Sequence, residues 1–248
     1  MNNREKIDFI TKWINDYVSD MQTQAKTLIV GVSGGIDSAL TSTICALTGL
    51  KTIAVRMPII TASPVTSINH CNWLLKKFNN VEICEIELTK TFEMFSNITK
   101  KERFESELGF ANSKSRLRMV TLYQIASSTN GLVVGTGNKV EDFGVGFFTK
   151  YGDGGVDISP IADLTKTQVK ELAKELEIVD EVIDAEPTDG LWDDERSDED
   201  QLGLSYEKIE EAMINKKSKY RDKYQEIRKK SLHKMKSIPV CIINDDDD

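Results

Sequence analysis

The sequence predicts an α/β fold: a parallel sheet with helices on both faces, flanked by N- and C-terminal helices. Three observations carry this. Four short apolar runs are separated by stretches of helical periodicity, the pattern of βαβ units. Two of those runs, the first and the fourth, end in glycine turns. The 248 residues, 40% hydrophobic and 29% charged, suffice for one substantial core in a single domain, 1–248.

Residues 4–21 open the chain with Ile7, Ile10, Trp13, Ile14, Tyr17 and Val18 on one face, at the i, i+3, i+4, i+7 spacing of an amphipathic helix. TLIVGV (27–32) reads as a buried strand, and a helix is expected from about Asp37 to Gly49. TIAVRM (52–57) is the second strand, closed by Pro58. A helix over 64–78, with Trp73, Leu74 and Phe78 inward, leads to the third strand, VEICEIE (81–87). The run from Leu88 to about Ser128 is helical, with a break expected at Gly109 and Asn112. GLVVGTG (131–137) is the fourth strand. From 138 to 161 the chain is rich in glycine, lacks periodicity and is expected to be irregular; so long a loop in a compact domain is usually functional. Helical patterns return at 165–177, 205–214 and 218–232, so that 203–234 forms a C-terminal helical segment before the acidic tail 245–248.

Composition narrows the function. The net charge of −8 is concentrated: DDERSDED (193–200) sets six acids against one arginine and DDDD (245–248) adds four more, leaving a nearly neutral body that can hold a phosphorylated ligand locally. Cys45, Cys71, Cys84 and Cys241 are far apart, with no CxxC pair, and read as reduced thiols rather than a zinc or redox site. No apolar run approaches the roughly 18 residues of a membrane span, and MNNREKIDFI lacks a signal-peptide core. A cytoplasmic protein with no membrane or nucleic-acid partner is expected.

The turn after the first strand is the richest motif. In a parallel sheet, ligands bind beyond the carboxyl ends of the strands where the strand order reverses, so the two glycine turns are expected side by side. Ser33, Gly34 and Gly35 followed by a helix would present backbone N–H groups to an anion, and the glycines admit close approach. The loop lacks the lysine of GxxxxGK[ST] and the spacing of GxGxxG, so neither of those nucleotide motifs is present. Asp37 suits a magnesium ligand or an ordinary helix cap. Glu141 follows the fourth strand, as a second ligand or a surface acid. Lys166 sits at a helix start, where the dipole disfavours a cation unless an anion is near, and so favours a ligand-facing role.

SGGIDS (33–38) resembles the pyrophosphate loop of the N-type ATP pyrophosphatases, which cleave ATP to AMP and pyrophosphate. Within that group the chain resembles the NAD synthetases through KSRLRMVTLYQIA (114–126), VVGTGNKVED (133–142), GFFTKYGDGGVDISPIADLTKTQV (146–169), PTDGLW (187–192) and DEDQLGLSY (198–206). The blocks cover most of residues 28–234. The resemblance implies an adenine nucleotide alpha hydrolase-like, Rossmann-like fold and ATP-dependent amidation of deamido-NAD through its adenylate. With no room for a glutaminase domain, ammonia is the implied nitrogen donor.

The resemblance also implies roles by position. Gly31, Val32, Ser33, Gly34, Gly35, Ile36, Asp37 and Ser38 would cradle ATP, with Arg56, Thr136, Lys166 and Thr188 as further ATP contacts. Asp37 and Glu141 would hold Mg²⁺. Arg116, Lys150, Asp157, His233 and Lys234 would bind deamido-NAD, and a homodimer joined near the helix at 114–128 is implied. Asp153 either positions ammonia or accepts its proton, or only caps a turn. The DDERSDED stretch is expected to be a loop that orders over bound substrate. A tRNA thiolase would want paired cysteines and a basic surface, and a non-catalytic nucleotide module would not need the Lys166, Thr188 and GFFTKYGDGG blocks.

Overall fold

The computed structural model describes residues 1–186, 191–192 and 197–243. Thr188, residues 193–196 and the tail 245–248 lie outside the described residues. Four parallel strands, β1 (Thr27–Gly31), β2 (Lys51–Arg56), β3 (Val81–Glu85) and β4 (Gly131–Val133), form one sheet in the order β3-β2-β1-β4. The strand order therefore reverses between β1 and β4, and the glycine turns that follow them are neighbours, as expected.

The two-residue alternation of β1 divides the core. Leu28 and Val30 face one side, packing with α1 (Asn3–Asp20), α2 (Ile36–Leu47) and α6 (Lys166–Glu175). Ile29 faces the other, with Ile53, Val55 and Val133, against Ala126 and Leu122 of α5 (Glu107–Thr129). On the first side, α3 (Val65–Lys77) covers Ala54 and Val32 with Cys71 and Leu74, and the short α7 (Asp180–Ile183) adds Val182 and Ile183 to the core with α1, α2 and α6. Helices thus cover both faces.

Local chemistry explains the element ends. At α1 the Asn2 side chain accepts from the Glu5 N–H and Glu5 accepts in return from the Asn2 N–H, each at 2.8 Å, a reciprocal cap. The helix buries Ile7, Ile10, Ile14 and Val18, while Trp13 and Tyr17, placed on the same face by the periodicity, lie at its edge and are 39% and 41% exposed. Each precedes a buried residue by one position, about 100° around the helix. The break expected at Gly109 and Asn112 falls instead between α4 (Thr89–Lys101) and α5. Ser106 starts α5 by accepting from the Gly109 N–H at 2.9 Å, and a Cβ on Gly109 would come within 2.6 Å of that hydroxyl. The glycine serves the cap rather than interrupting the helix.

The stretch after β4 differs most from expectation. Lys139–Val145 is a π-helical turn, not irregular backbone. Asn138 caps it, accepting from the Val140 and Glu141 N–H groups at 2.9 and 3.1 Å. Its wider turn directs both Val140 and Val145 into a second small core, made with Leu202 of α8 (Asp198–Leu202), Ile209 and Ala212 of α9 (Tyr206–Ile214), and Tyr224 of α10 (Arg221–Met235). Arg228 of α10 donates to the Phe143 and Gly144 carbonyls, fastening the turn from outside. Among the described residues, no helix is long and apolar enough to cross a membrane.

One buried group gives the fold a pH dependence. His70 is fully buried, its Nε2 is 2.9 Å from Ser42 Oγ, and burial pushes its pKa down to about 4. Between that value and about 6.5 the unfolded chain binds the extra proton. Stability is therefore complete above about pH 6.5 and falls by up to about 3 kcal/mol as pH drops through 4. Urea unfolding of His70→Gln is expected to lack this acid-side loss, measured as a flatter stability profile from pH 6.5 to 4.

Candidate active site

A cleft of about 650 Å³ opens over the carboxyl ends of β1 and β4. Gly31 to Ser38 line one wall, Thr136 and Glu141 the other, and Lys166 reaches in from the start of α6. The glycine loop is built for tightness. Gly34 has φ +99°, and a Cβ there would meet Thr66 Oγ1 at 2.5 Å and the Ser67 backbone nitrogen at 3.0 Å, so both conformation and space demand glycine. No side chain caps α2 at its N-cap, Gly35, which leaves that helix end for a ligand. Not every amide is available, however. The Ser33 N–H donates to Ser38 Oγ and the Gly35 N–H to Ser33 Oγ, both at 3.2 Å, so these hydroxyls shape the loop.

At the centre three charged groups meet. Lys166 Nζ lies 2.6 Å from Asp37 Oδ2 and 3.0 Å from Glu141 Oε1, with all three side chains 13–16% exposed. Asn138 Nδ2 donates to Asp37 Oδ1 at 3.0 Å, and the Tyr206 hydroxyl donates to Glu141 Oε1 at 2.5 Å. Burial opposes the charge of Lys166, yet the two carboxylates hold its pKa well above the usual lysine range. Burial raises Asp37, Lys166 pulls it back, and the Glu141 charge adds to the rise, which prevails. Burial also acts on Glu141, but Lys166 and Tyr206 outweigh it and keep that carboxyl below its usual range. The lysine is thus firmly protonated between a strong and a weak acid.

These surroundings bear on a metal. Two buried carboxylates converge on a point already held by a cation, and carboxylate oxygens are the ligands hard divalent ions prefer. The donor set fits magnesium at Asp37 and Glu141, provided Lys166 yields the position.

A second group lies further along the cleft. Asp153 Oδ1 accepts from Ser115 Oγ at 2.7 Å and from the Thr149 N–H at 3.0 Å, while the Asp153 N–H donates to Ser115 Oγ at 2.9 Å. It caps the Thr149 turn and also lines the cleft; protein around its other sides raises its pKa by desolvation. Asp142 lies beside it, pushed up to about 8 by burial and by the charges of Glu141, Asp153 and Asp37. A Cβ on Gly137 would fall 1.9 Å from Asp142 Oδ2, so that glycine exists to admit the carboxylate. Lys234 donates to the Phe148 carbonyl at 2.6 Å; its pKa is lowered by burial against the pull of Asp153 and Asp142. An adjoining cavity of about 300 Å³ shares Asp142, Asp153 and Lys234 and adds Lys150 and Tyr151.

Other expected residues stand apart. Arg56 pairs with Glu85 at 3.1 Å and does not line the cleft. Arg116 Nε donates to the Lys150 carbonyl at 3.3 Å, outside both cavities. Asp157 accepts from Tyr123 Oη at 3.0 Å and from the Val133 N–H at 2.8 Å, buttressing β4 instead of facing the cleft. His233 is exposed near the end of α10. The stretch expected to be a loop at 193–200 is helical from Asp198, where Ser197 caps α8 by accepting from the Asp200 N–H at 3.1 Å. Asn138, Asp142, Asp198 and Tyr206 are given no role in the sequence reading, although all four lie in the quoted blocks 133–142 and 198–206; Asn138 has in addition the local signal of a helix cap.

Comparison with known proteins agrees with this geometry. The family model described as NAD synthase matches residues 6–243. An NH(3)-dependent NAD(+) synthetase from Mesoplasma florum is 36% identical over 213 residues, covering 85% of this chain and 84% of that protein. The solved NMN synthetase from Francisella tularensis superposes with a TM-score of 0.88 at 30% identity, covering 98% of this chain and all of the other. The NH3-dependent NAD synthetase from Campylobacter jejuni, solved with a nitrate ion, gives 0.77 at 26% identity with the same coverage. The sheet order, the glycine loop and this agreement over nearly the whole length place the chain in the NAD synthase family.

Proposed function

We propose that this chain makes NAD from deamido-NAD, ATP and ammonia, releasing AMP and pyrophosphate. The observation that carries the reading is the cluster of Lys166, Asp37 and Glu141 beside an uncapped glycine loop, in a chain that matches the NAD synthase model from residue 6 to 243.

The loop from Gly31 to Ser38 holds the outer phosphates of ATP against the open end of α2, where unpaired amides and the helix dipole favour an anion. Lys166, fixed by two carboxylates, is placed to turn its ammonium onto the same phosphates. Thr136 lines the opposite wall, and Thr188, outside the described residues, is assigned to ATP by the family resemblance alone. Arg56 reaches ATP only by leaving Glu85. Asp37 and Glu141 would hold Mg²⁺, which when bound supplies positive charge against the leaving pyrophosphate.

Holding the outer phosphates leaves the α-phosphorus open. The nicotinate carboxylate oxygen attacks it, the bond to the β-phosphate oxygen breaks, and pyrophosphate departs. Ammonia then attacks the adenylated carboxyl carbon, the bond to AMP breaks, and one proton is released. Asp153 is positioned to orient ammonia and to take that proton, being open to the cleft and held by Ser115 and Thr149. Lys234 and Lys150, on the adjoining cavity, are suited to the diphosphate or carboxylate of deamido-NAD. Arg116, Asp157 and His233 complete the substrate set from outside the cleft, which agrees with a site finished by a second copy. The homodimer of this reading meets along α5, where Val120 is 56% exposed. A cytoplasmic setting belongs to the same reading.

A second reading concerns the substrate. The NMN synthetase likeness makes the mononucleotide form of the nicotinate substrate a competitor, since both carry the same reacting carboxylate. Turnover of the two under identical ATP and ammonium decides between them; a ratio of kcat/KM above about 10, or 1.4 kcal/mol, names the preferred one.

With the preferred substrate, AMP and pyrophosphate are expected in equal amounts to the amide; ADP and phosphate instead would overturn the reading. Asp37→Ala is expected to lose activity by at least about 100-fold with its circular dichroism unchanged, since Asp37 sits in the first turn of α2 outside the apolar core and Glu141 still pairs Lys166. Lys166→Met leaves two buried carboxylates without their cation and is expected to cost about 3 kcal/mol or more in urea unfolding, with part of the loss restored by millimolar Mg²⁺.

A further inference from the structure

Tyr206 opens α9 and is 5% exposed. Its hydroxyl lies 2.5 Å from Glu141 Oε1 and 3.1 Å from Asp198 Oδ2, and its ring centroid lies 4.8 Å from Lys166 Nζ. Its backbone N–H donates to Glu199 Oε1 at 2.9 Å. One side chain therefore touches both the carboxylate and the ammonium of the central cluster, and is tied at two points to α8.

The atoms involved give these contacts a direction. Lys166 and Tyr206 both donate to Oε1 of Glu141, so both bonds leave Oε2 turned from them. When Lys166 swings toward phosphate it abandons Glu141, and the phenol, together with Asn138, keeps this side chain aimed at Asp37. The ring meanwhile offers Lys166 a cation–π contact that costs no hydrogen bond to break. The hydroxyl carries one hydrogen and faces two carboxylates; the shorter contact assigns it to Glu141, while Asp198 competes for the same hydrogen from the side of α8. The rest of the ring packs in the second core with Val140 and Ile209, so the hydroxyl can be removed without emptying the core.

We propose that Tyr206 is a positioning residue: it holds Glu141 and Lys166 in the arrangement that receives a divalent cation and the ATP phosphates, and through Asp198 it links that arrangement to the seating of α8. This rests on the function proposed above.

The test is Tyr206→Phe, which keeps the ring and loses the hydroxyl. Mn²⁺ binding followed by electron paramagnetic resonance with α,β-methylene-ATP present, an analogue that cannot be cleaved at the α-phosphorus, reads the arrangement without turnover. Mn²⁺ affinity and kcat are each expected to fall about 10- to 100-fold, the usual effect of removing a hydrogen bond to a metal-holding carboxylate. KM for the nicotinate substrate should change by less than about threefold, and the thermal melt should stay cooperative. Wild-type Mn²⁺ affinity and kcat in the folded variant would overturn the proposal. Should Tyr206→Phe not fold, Asp198→Asn replaces it: the amide no longer competes for the phenol hydrogen, which stays on Glu141, so a several-fold tighter Mn²⁺ affinity is expected, and an unchanged or weaker one overturns the proposal. Absence of amide product from the wild-type protein would instead sink the proposed function, because Mn²⁺ binding with the analogue needs no amide chemistry.

Discussion

The contact of Lys166 with Asp37 and Glu141 is the constraint around which the site is organised. Its members come from the turn after β1, the π-helical turn after β4 and the start of α6. Removing three charges from water is unfavourable, and only close pairing with added hydrogen bonds offsets it. Asn138 and Tyr206 supply those bonds. One ammonium between two carboxylates leaves an excess of negative charge, so the cluster is satisfied only in part. A divalent cation would relieve the excess and free the lysine for phosphate. The arrangement is stable enough to exist without ligand and unbalanced enough to favour one.

The second core exists for the same purpose. A glycine-rich segment cannot by itself hold a carboxylate to within hydrogen-bond tolerance. Here Val140 and Val145 anchor the turn in a small apolar cluster of α8, α9 and α10, and Arg228 clamps its carbonyls. The helices beyond α6 thus act on the chemistry through packing. Gly137 and Gly34 show the converse device, the absence of a side chain where a carboxylate or another helix must come close.

The sheet, its helices and the glycine loop were legible because each rests on local signals: apolar runs, periodicity, and glycines at a strand end. Asp37, Glu141 and Lys166 were named from loop position and dipole conflict, and they do meet. The direct contact of Lys166 with both acids was not legible, since it depends on the relative placement of segments 129 residues apart. Tyr206 ends the block 198–206 and falls at the start of the helical pattern 205–214, and nothing nearby in sequence marks its hydroxyl as a partner of Glu141. The π-helical turn was hidden because its stability comes from the second core rather than from propensity. Arg116 and Asp157 lie outside the cleft because the Lys150 carbonyl holds the one, and Tyr123 and the Val133 N–H the other, contacts that no local pattern announces.

The 129-residue separation also sets an order of events for a newly made chain. Asp37 is in place as soon as β1 and α2 fold, but its cation arrives only after everything through α6 has been synthesised and docked. Closing so long a loop is slow, and contacts of this range form late in folding. Until then the glycine loop stands without its lysine. The contacts of α1 with α6 span still more of the chain, and the π-helical turn that carries Glu141 waits for α8, α9 and α10, so the three charged groups come together only when nearly the whole chain has folded.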